Sequence, residues 1–300
     1  METFRVTRIL APTDLSAASL PALRYARLFA TCFSAKLTVM FSDPPIYAGD
    51  FPGPVAGLGP EHVENLRTEL EKHAGDALAG CPFDVDVTVG DPIPSILAAA
   101  KETKADLIIV GTHLRQGWRR ALIGSVSDGV LYGSECPVLT VAGQDHLLRA
   151  AGFKNVLCPV NFTEVAAESM HVAAGVAAAF GAHLTAVQVV NAEDPIAFAR
   201  DEERVRRWIA PELQDNCSYR ELVVRGSAAE RVLDYADDFR ADLLVIGAQH
   251  ERFRNATVLG ATTERLIRFA SSPVLVVPRH AARRQSALFN DAELLVAAGR

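Results

Sequence analysis

The sequence of 300 residues contains one long internal repeat. Ile9–Asp14 (ILAPTD) returns as Val156–Asn161 (VLCPVN) at an offset of 147 residues, and Ala105–Gly111 (ADLIIVG) returns as Ala241–Gly247 (ADLLVIG) at an offset of 136. A copy of this length is a domain rather than a short solenoid unit, because it can bury a sheet of its own. The repeat therefore predicts two similar domains, 1–147 and 152–280, followed by a tail over 281–300.

The fall in the offset along the repeat indicates that the first copy contains extra residues. They include the Pro- and Gly-rich segment Asp43–Pro60, which is predicted to be irregular, either a slack surface loop or a lid over a ligand. The tail contains Leu288, Phe289 and Leu294, so it forms either a short docking helix or a frayed terminus.

Apolar segments with the length of strands alternate with helical segments in each copy. The predicted strands of the first copy are Val6–Pro12, Lys36–Phe41, Asp84–Val89, Leu107–Val110 and Val138–Val141, and the predicted helices are Ser16–Cys32, Glu61–Ala79, Ile93–Thr103 and Ser125–Tyr132. Apolar strands that alternate with helices are typical of a parallel sheet covered on both faces. Each copy is therefore predicted to be an α/β domain with a doubly wound, five-stranded parallel sheet.

Charge and cysteine usage narrow the class of protein. The net charge of −6 argues against nucleic acid or an anionic membrane as a partner, because both attract basic surfaces. The N-terminus lacks the apolar run of a signal peptide, and Gly175, Gly181 and His183 interrupt the most apolar stretch, so no membrane span is expected. The five cysteines are odd in number and form no CxxC motif, which favours reduced, mostly buried thiols and a cytoplasmic location.

The ends of two predicted strands contain the strongest candidates for a ligand site. In a doubly wound sheet, ligands bind at the carboxyl ends of the strands, where the winding direction reverses. Asp14 follows the first strand and Gly111 follows the fourth, and Gly124 and Ser125 then open a helix. Glycine allows a phosphate to approach the backbone, and the first turn of a helix offers N–H groups to an anion. By residue type alone, however, glycine at the end of a strand and serine at the start of a helix are also common for purely structural reasons.

Two of these residues have a second reading. Ser125 either caps its helix or donates its hydroxyl to a phosphate. Asp14 either serves the ribose, the adenine or a phosphate-bound Mg²⁺, or it caps the following helix, a role for which Ser16 competes. The position of Asp14 at the expected crevice favours the functional reading.

Both copies resemble the universal stress protein family. The resemblance rests on the repeat, on Asp14, on the glycines with Ser125, and on Cys136–Val141 (CPVLTV), and it covers the chain up to about residue 280. It implies the adenine nucleotide alpha hydrolase-like fold and dimerisation through the last strand. In a tandem chain that contact is expected as an intrachain pseudo-dimer, with Val138–Val141 near Val274–Val277, and a homodimer of tandem chains stays open as well.

The resemblance also implies a nucleotide site in the first copy. ATP-binding members show a glycine, two residues, a glycine, nine residues, and then glycine with Ser or Thr. Leu114 stands at the second glycine of this pattern, and Gly117 follows three residues later. The positions implied for ATP or a related adenine nucleotide, with Mg²⁺, are Pro12, Thr13, Asp14, the backbone near Ser42, Gly111, Gly124 and Ser125.

The second copy departs further from the pattern. Gly247 and Gly260 match, whereas Asn161 replaces the aspartate, His250 the second glycine, and Ala261 the Ser or Thr. The resemblance therefore implies a degenerate second domain.

Charged residues of the first-copy loop are weaker candidates. Arg115 either neutralises phosphate charge or belongs to a solvated basic face, and His113 either touches the ligand or lies on the surface. In the second copy, Arg252 and Arg254 have the same two readings.

Three functional classes fit these observations. The first is a nucleotide-binding stress regulator or sensor without a dedicated catalytic centre, which acts through protein partners that the sequence does not identify. The second is a nucleotide-free interaction scaffold, favoured by Leu114 and the altered second copy. The third is an enzyme, at most a slow ATPase, because neither GxxxxGK[ST] nor GxSxG occurs.

Overall fold

A computed structural model describes residues 4–45, 59–112, 124–142, 152–190, 195–208, 217–248, 250–253 and 256–279. These residues fall into two units. One contains 5–134 and 138–142 within those limits, and the other contains Phe4, 135–137 and 152–279.

The first unit is built on parallel strands paired in the order β3-β2-β1-β4-β5. The strands are β1 (Arg8–Thr13), β2 (Lys36–Asp43), β3 (Asp84–Val89), β4 (Leu107–Thr112) and β5 (Val138–Ala142). The helices are α1 (Leu20–Phe33), which a 3₁₀ turn (Ala17–Ser19) precedes, α2 (Pro60–Gly75), α3 (Pro92–Thr103) and α4 (Ser125–Gly133). The order reverses between β1 and β4, which makes the carboxyl ends of these two strands the switch point of the sheet.

The second unit repeats this arrangement, with parallel strands in the order β8-β7-β6-β9-β12. The strands are β6 (Asn155–Pro159), β7 (His183–Val190), β8 (Tyr219–Arg225), β9 (Leu243–Ala248) and β12 (Val274–Pro278). The helices are α5 (Glu164–Phe180), α6 (Pro195–Trp208), α7 (Ala228–Asp238) and α8 (Ala261–Phe269). The predicted fold class, two repeated α/β domains with doubly wound parallel sheets, is confirmed.

The central strands form the core of each unit. Leu107, Ile108 and Ile109 of β4 are fully buried, as are Leu243 and Leu244 of β9. Strands buried on both faces have no solvent side, and so their sequences are continuously apolar rather than alternating. This explains why the two strands are the most recognisable part of the repeat.

Two helices differ from their predicted bounds by more than one residue. The segment after β1 begins as a 3₁₀ turn, and α1 starts only at Leu20, with Pro21 in its first turn where no N–H is needed. The second helix was predicted to run to Ala79 and ends at Gly75. A turn follows instead, in which Gly80 has a φ of +80°, a backbone conformation that favours glycine.

An antiparallel hairpin in the second unit was not predicted. Its strands are β10 (His250–Phe253) and β11 (Ala256–Leu259), and they follow β9 directly. The segment, with Arg252, was expected to be a loop.

An aspartate at the start of the fourth strand ties each sheet together in the same way. In the first unit, Asp106 Oδ2 accepts hydrogen bonds from the Thr7 amide (2.7 Å), the Thr7 hydroxyl (2.6 Å) and the Arg8 amide (3.0 Å). In the second unit, Asp242 Oδ2 accepts from the amides of Lys154 (2.7 Å) and Asn155 (2.9 Å). The repeated Ala-Asp dipeptide therefore joins the first and fourth strands at the amino edge of the sheet.

The cysteines are more exposed than expected. Cys158 is buried, whereas the other four, Cys32, Cys81, Cys136 and Cys217, are half-buried, so the prediction of mostly buried thiols is wrong. Within the described part of the chain, no helix is both long and apolar enough to cross a membrane.

Candidate functional site

A cavity of about 460 Å³ lies at the switch point of the first unit. This volume lies within the range of roughly 300–1,000 Å³ that is typical of small-molecule sites. The cavity opens at the carboxyl ends of β1, β2 and β4 and reaches the first turns of α3 and α4. Its lining residues are Pro12, Thr13, Asp14, Ala18, Ser19, Phe41, Ser42, Pro44, Pro92, Ile96, Val110, Gly111, Gly124, Ser125, Val126 and Ser127.

The first-copy candidates come together in this cavity. All seven residues implied for the first copy line it, namely Pro12, Thr13, Asp14, Ser42, Gly111, Gly124 and Ser125. The remaining first-copy candidates, His113, Arg115 and Gly117, lie outside the described residues, as does Leu114. The central part of the predicted loop Asp43–Pro60 and the tail also lie outside them.

Asp14 lies in a tight turn between β1 and α1. Its Oδ1 accepts hydrogen bonds from the Ser16 amide (3.0 Å) and the Ser16 hydroxyl (2.6 Å). Leu15, between them, has a φ of +61°, an unusual conformation for a residue with a branched side chain. Asp14 therefore stabilises the turn and also lines the cavity, whereas the N-cap position of the following 3₁₀ turn belongs to Ser16, the competing residue.

A cluster of three polar side chains, Thr13, Ser19 and His73, stabilises the same turn. The hydroxyl oxygens of Thr13 and Ser19 are 2.7 Å apart, and the Ser19 hydroxyl donates to the Ser16 carbonyl at 2.7 Å. His73, on α2, completes the cluster: its Nε2 lies 3.2 Å from Ser19 Oγ and 3.4 Å from Thr13 Oγ1. Burial lowers the pKa of His73, although the nearby carboxylates of Asp14 and Glu69 act in the opposite direction.

Sequence reasoning did not identify Ser19 or His73. His73 lies three residues after Leu70, one of the two fully buried residues of α2 with Ala74, so helical spacing alone would have placed it on the inner side of that helix. Nothing in the sequence indicated that this side meets the end of β1.

The first turn of α4 forms the opposite wall of the cavity. Gly124 is the N-cap and Ser125 the first helical residue, so of the two roles considered for Ser125 the structure excludes the N-cap position, and donation to a phosphate stays a prediction. The amides of a first helical turn have no partner within the helix, and an anion is stabilised in front of them. The Ser127 hydroxyl donates to the Gly111 carbonyl at 2.8 Å, which holds this turn against the end of β4.

Ser42 has a different role from that of Ser125. Its hydroxyl donates to the Gly90 carbonyl at 2.8 Å, and its side chain is buried. The Ser42 hydroxyl is therefore engaged within the protein, and contact of the Ser42 backbone with a ligand stays a prediction.

The second unit has a smaller cavity at the corresponding place. Its volume is about 180 Å³, and Asn161 and Gly247 line it. Gly260 is the N-cap of α8, and Ala261 is the first residue of that helix. The Asn161 side chain accepts a hydrogen bond from the Thr163 hydroxyl (2.7 Å), so it repeats the turn-stabilising role of Asp14 without the charge.

The close approach of α5 to β9 accounts for part of this narrowing. A Cβ built on Gly247 would lie 2.6 Å from Val165 Cγ1 and 2.9 Å from the Val165 carbonyl oxygen. On Gly111 the nearest atoms are at 3.5 Å or more, and Ala18 stands where the second unit has Val165. The larger side chain and the closer helix leave little space at the second switch point.

The polar cluster is also absent from the second unit's crevice, where Val160 and Ala166 replace Thr13 and Ser19. Trp208 stands 135 residues after His73, just as the buried Val205 stands 135 residues after the buried Leu70, so Trp208 is the counterpart of His73.

Comparisons with known proteins agree with the repeat. The model of the Universal stress protein family matches the chain twice, over residues 5–142 and 152–278. A universal stress protein of Mycolicibacterium smegmatis is 25% identical over 287 residues, which cover 90% of this chain and 96% of that protein. A universal stress protein of Methanocaldococcus jannaschii is 35% identical over 144 residues, which cover 45% of this chain and 81% of that protein.

Among solved structures, the fold is similar to that of a universal stress protein from Archaeoglobus fulgidus. The TM-score is 0.74 at 24% sequence identity, and the match covers 92% of this chain and 100% of that chain.

Proposed function

Because the chain belongs to the universal stress protein family, we propose that the crevice of its first domain binds ATP or a related adenine nucleotide. The bound nucleotide makes the protein a regulator or sensor in a stress response, which acts through protein partners and has no dedicated catalytic centre. The observation that carries this proposal is the cavity of about 460 Å³, whose wall contains all seven residues implied for the nucleotide.

The two walls of the cavity suit different parts of a nucleotide. Phe41, Pro92 and Ile96 give the base an apolar surface, and apolar lining with a few polar groups is usual for such sites. The first turn of α4, with the exposed hydroxyl of Ser125, presents donors to phosphate oxygens. Asp14 is exposed at the mouth and serves the ribose, the adenine or a phosphate-bound Mg²⁺.

Mg²⁺ is expected at this site only when the phosphates of the nucleotide also coordinate it. Among the described residues, no three His, Cys, Asp or Glu side chains are grouped so that they could hold a metal ion. Asp14 supplies one carboxylate at the cavity, and Mg²⁺ readily takes its other ligands from phosphates and water.

The second domain is proposed to remain without nucleotide. Its cavity of about 180 Å³ is below the usual size of a ligand site, and Asn161 and Ala261 remove the charge and the hydroxyl that the first domain presents. These features also favour the alternative function, a nucleotide-free scaffold, if the first domain proves unable to bind.

Calorimetric titration of ATP with Mg²⁺ into nucleotide-stripped full-length protein tests the proposal. We expect saturable binding at one site per chain, which Asp14→Ala and Gly124→Glu each abolish or weaken at least about tenfold, because each removes or blocks a direct ligand contact. The matched second-domain variants, Asn161→Ala and Gly260→Glu, should bind as the unmodified protein does.

The same titration separates the alternatives. No saturable binding to the unmodified protein would overturn the nucleotide proposal and favour the scaffold. Phosphate release that disappears in Asp14→Ala or Ser125→Ala would instead favour a slow ATPase, which one held metal and phosphate can support.

A further inference from the structure

The turn after the first strand adopts the same unusual backbone conformation in both domains. Leu15 in the first domain and Phe162 in the second both have a φ of +61°. Neither is glycine, so the surrounding structure must hold each turn in this conformation. Asp14, which precedes Leu15, takes its position at the cavity from this turn.

Hydrogen bonds hold the turn in the first domain, and their protons can be assigned. The Ser16 carbonyl has no proton, so the Ser19 hydroxyl 2.7 Å away donates to it. The Leu15 amide donates to Thr13 Oγ1 (3.1 Å), and Thr13 then donates its own proton to Ser19 Oγ (2.7 Å). Both hydroxyl protons are now in use, and so His73 Nε2, 3.2 Å from Ser19 Oγ, must be the donor of that contact.

An aromatic contact holds the turn in the second domain. The ring of Trp208, the counterpart of His73, meets the ring of Phe162 edge to face with centroids 5.7 Å apart. The guanidinium of Arg204, one helical turn earlier on α6, lies 4.1 Å from the centre of the Phe162 ring. The same helix position therefore supports the same turn in both domains, by a hydrogen bond in one and by ring packing in the other.

We propose that His73 is a positioning residue of the nucleotide site, which holds the Leu15 turn through Ser19 and Thr13 and thereby places Asp14 for the ligand. The inference rests on the proposed function for its ligand, but the support of the turn by His73 does not depend on a ligand. His73, on α2, does not line the cavity. It contacts Ser19, which does, and so α2 contributes to the site through Ser19.

Two substitutions of His73 distinguish the effect of its N–H donor from the effect of its side-chain volume. His73→Gln keeps an N–H donor at a similar reach, whereas His73→Leu keeps apolar volume and removes the donor. Trp208→Leu is the matched control, because it removes the corresponding support from the second domain.

The first measurement needs no ligand. Amide hydrogen exchange, followed by NMR, should show faster exchange at Leu15 and Ser16 in His73→Leu, and rates close to the unmodified protein in His73→Gln. Trp208→Leu should affect the turn at Phe162 only. In the unmodified protein at neutral pH, long-range proton–nitrogen spectra should show the imidazole of His73, identified by its loss in His73→Gln, as the Nε2–H tautomer.

The second measurement is calorimetric titration of ATP with Mg²⁺ into the same variants. We expect His73→Leu to bind about tenfold more weakly, as the loss of one partly buried hydrogen bond allows, and His73→Gln and Trp208→Leu to bind within about threefold of the unmodified protein.

The outcomes are distinguishable from those of the proposed function. Unchanged exchange at Leu15 in His73→Leu, an Nδ1–H tautomer, or equal loss of affinity in both His73 variants would each overturn the positioning role. Absence of ATP binding in the unmodified protein, together with the expected exchange pattern, would overturn the nucleotide function and the placement of Asp14 for it, and would leave only the support of the turn.

Discussion

Gly247 lies directly against the backbone of Val165. A Cβ on Gly247 would come 2.9 Å from the Val165 carbonyl oxygen and 2.6 Å from its Cγ1, distances that side-chain carbons do not adopt. Its counterpart Gly111 has ordinary space, with Ser19 Cα at 3.5 Å and the Ala18 carbonyl oxygen at 3.6 Å. The same glycine of the repeat is thus required by packing in one domain, whereas in the other a Cβ would make only ordinary contacts.

This difference predicts opposite effects of one substitution. Gly247→Ala should lower the free energy of unfolding by about 1–3 kcal/mol, because α5 must shift to admit the methyl group. Gly111→Ala should leave stability nearly unchanged and weaken ATP binding instead. Urea unfolding and calorimetric titration of both variants check the pair, and equal stability of the two would contradict the packing argument.

The volume of the first cavity is expected to depend on Ala18. Ala18→Val introduces the side chain found at the equivalent position of the second domain, and ATP affinity should fall about tenfold if the added methyl groups clash with the ligand. The control Val165→Ala should not change ATP affinity, although it removes buried apolar volume. Titration that shows full affinity in Ala18→Val would mean that the ligand does not reach this end of the cavity.

Glu168, on α5, should make stability depend on pH. Burial raises its pKa from 4.5 to about 7. Between these values the unfolded chain has lost the proton while the folded protein retains it, so the folded state loses stability as the pH rises from about 4.5 through about 7.

The substitution Glu168→Gln should therefore raise the midpoint of thermal unfolding at pH 8 and change it much less at pH 5. Glu164→Gln, an exposed residue of the same helix, is the control and should show no comparable gain at pH 8. A gain of equal size at both pH values would point to packing rather than to ionisation.

Asp242 is expected to be a stability determinant rather than a site residue. Its carboxylate is buried and accepts from two backbone amides, so Asp242→Ala leaves both donors without a partner and should cost about 1–3 kcal/mol or more. Asp242→Asn keeps one acceptor oxygen and should cost less. Urea unfolding distinguishes them; a fully stable Asp242→Ala would show that water replaces the carboxylate.

The strands were predictable because their signal is local. A run such as Leu107–Val110 is apolar at every position only if both faces are buried, and the structure places β4 there with two further residues. Helix ends were less accurate, since α2 ends four residues before the predicted Ala79. Its end depends on the turn at Gly80, which a periodic apolar pattern does not specify.

The lining of the cavity was predictable for a geometric reason. Parallel strands bring their carboxyl ends to one edge, so Asp14, Ser42 and Gly111 had to meet there once the strand order was known. His73 was not predictable, because its contact with Thr13 spans 60 residues and depends on how α2 packs against the sheet.

The sequence by itself determined that the chain folds as two related α/β domains, because the repeat and the apolar strands are properties of neighbouring residues. The altered second copy was also predictable from Asn161, His250 and Ala261, whereas only the tertiary structure decided how much space remains at each switch point. The room beside Gly111, the closure over Gly247, and the exchange of His73 for Trp208 behind the turn all depend on distances between helices and strands far apart in the chain. Such distances follow from packing, where a larger side chain such as Val165 contributes to the narrowing of a crevice.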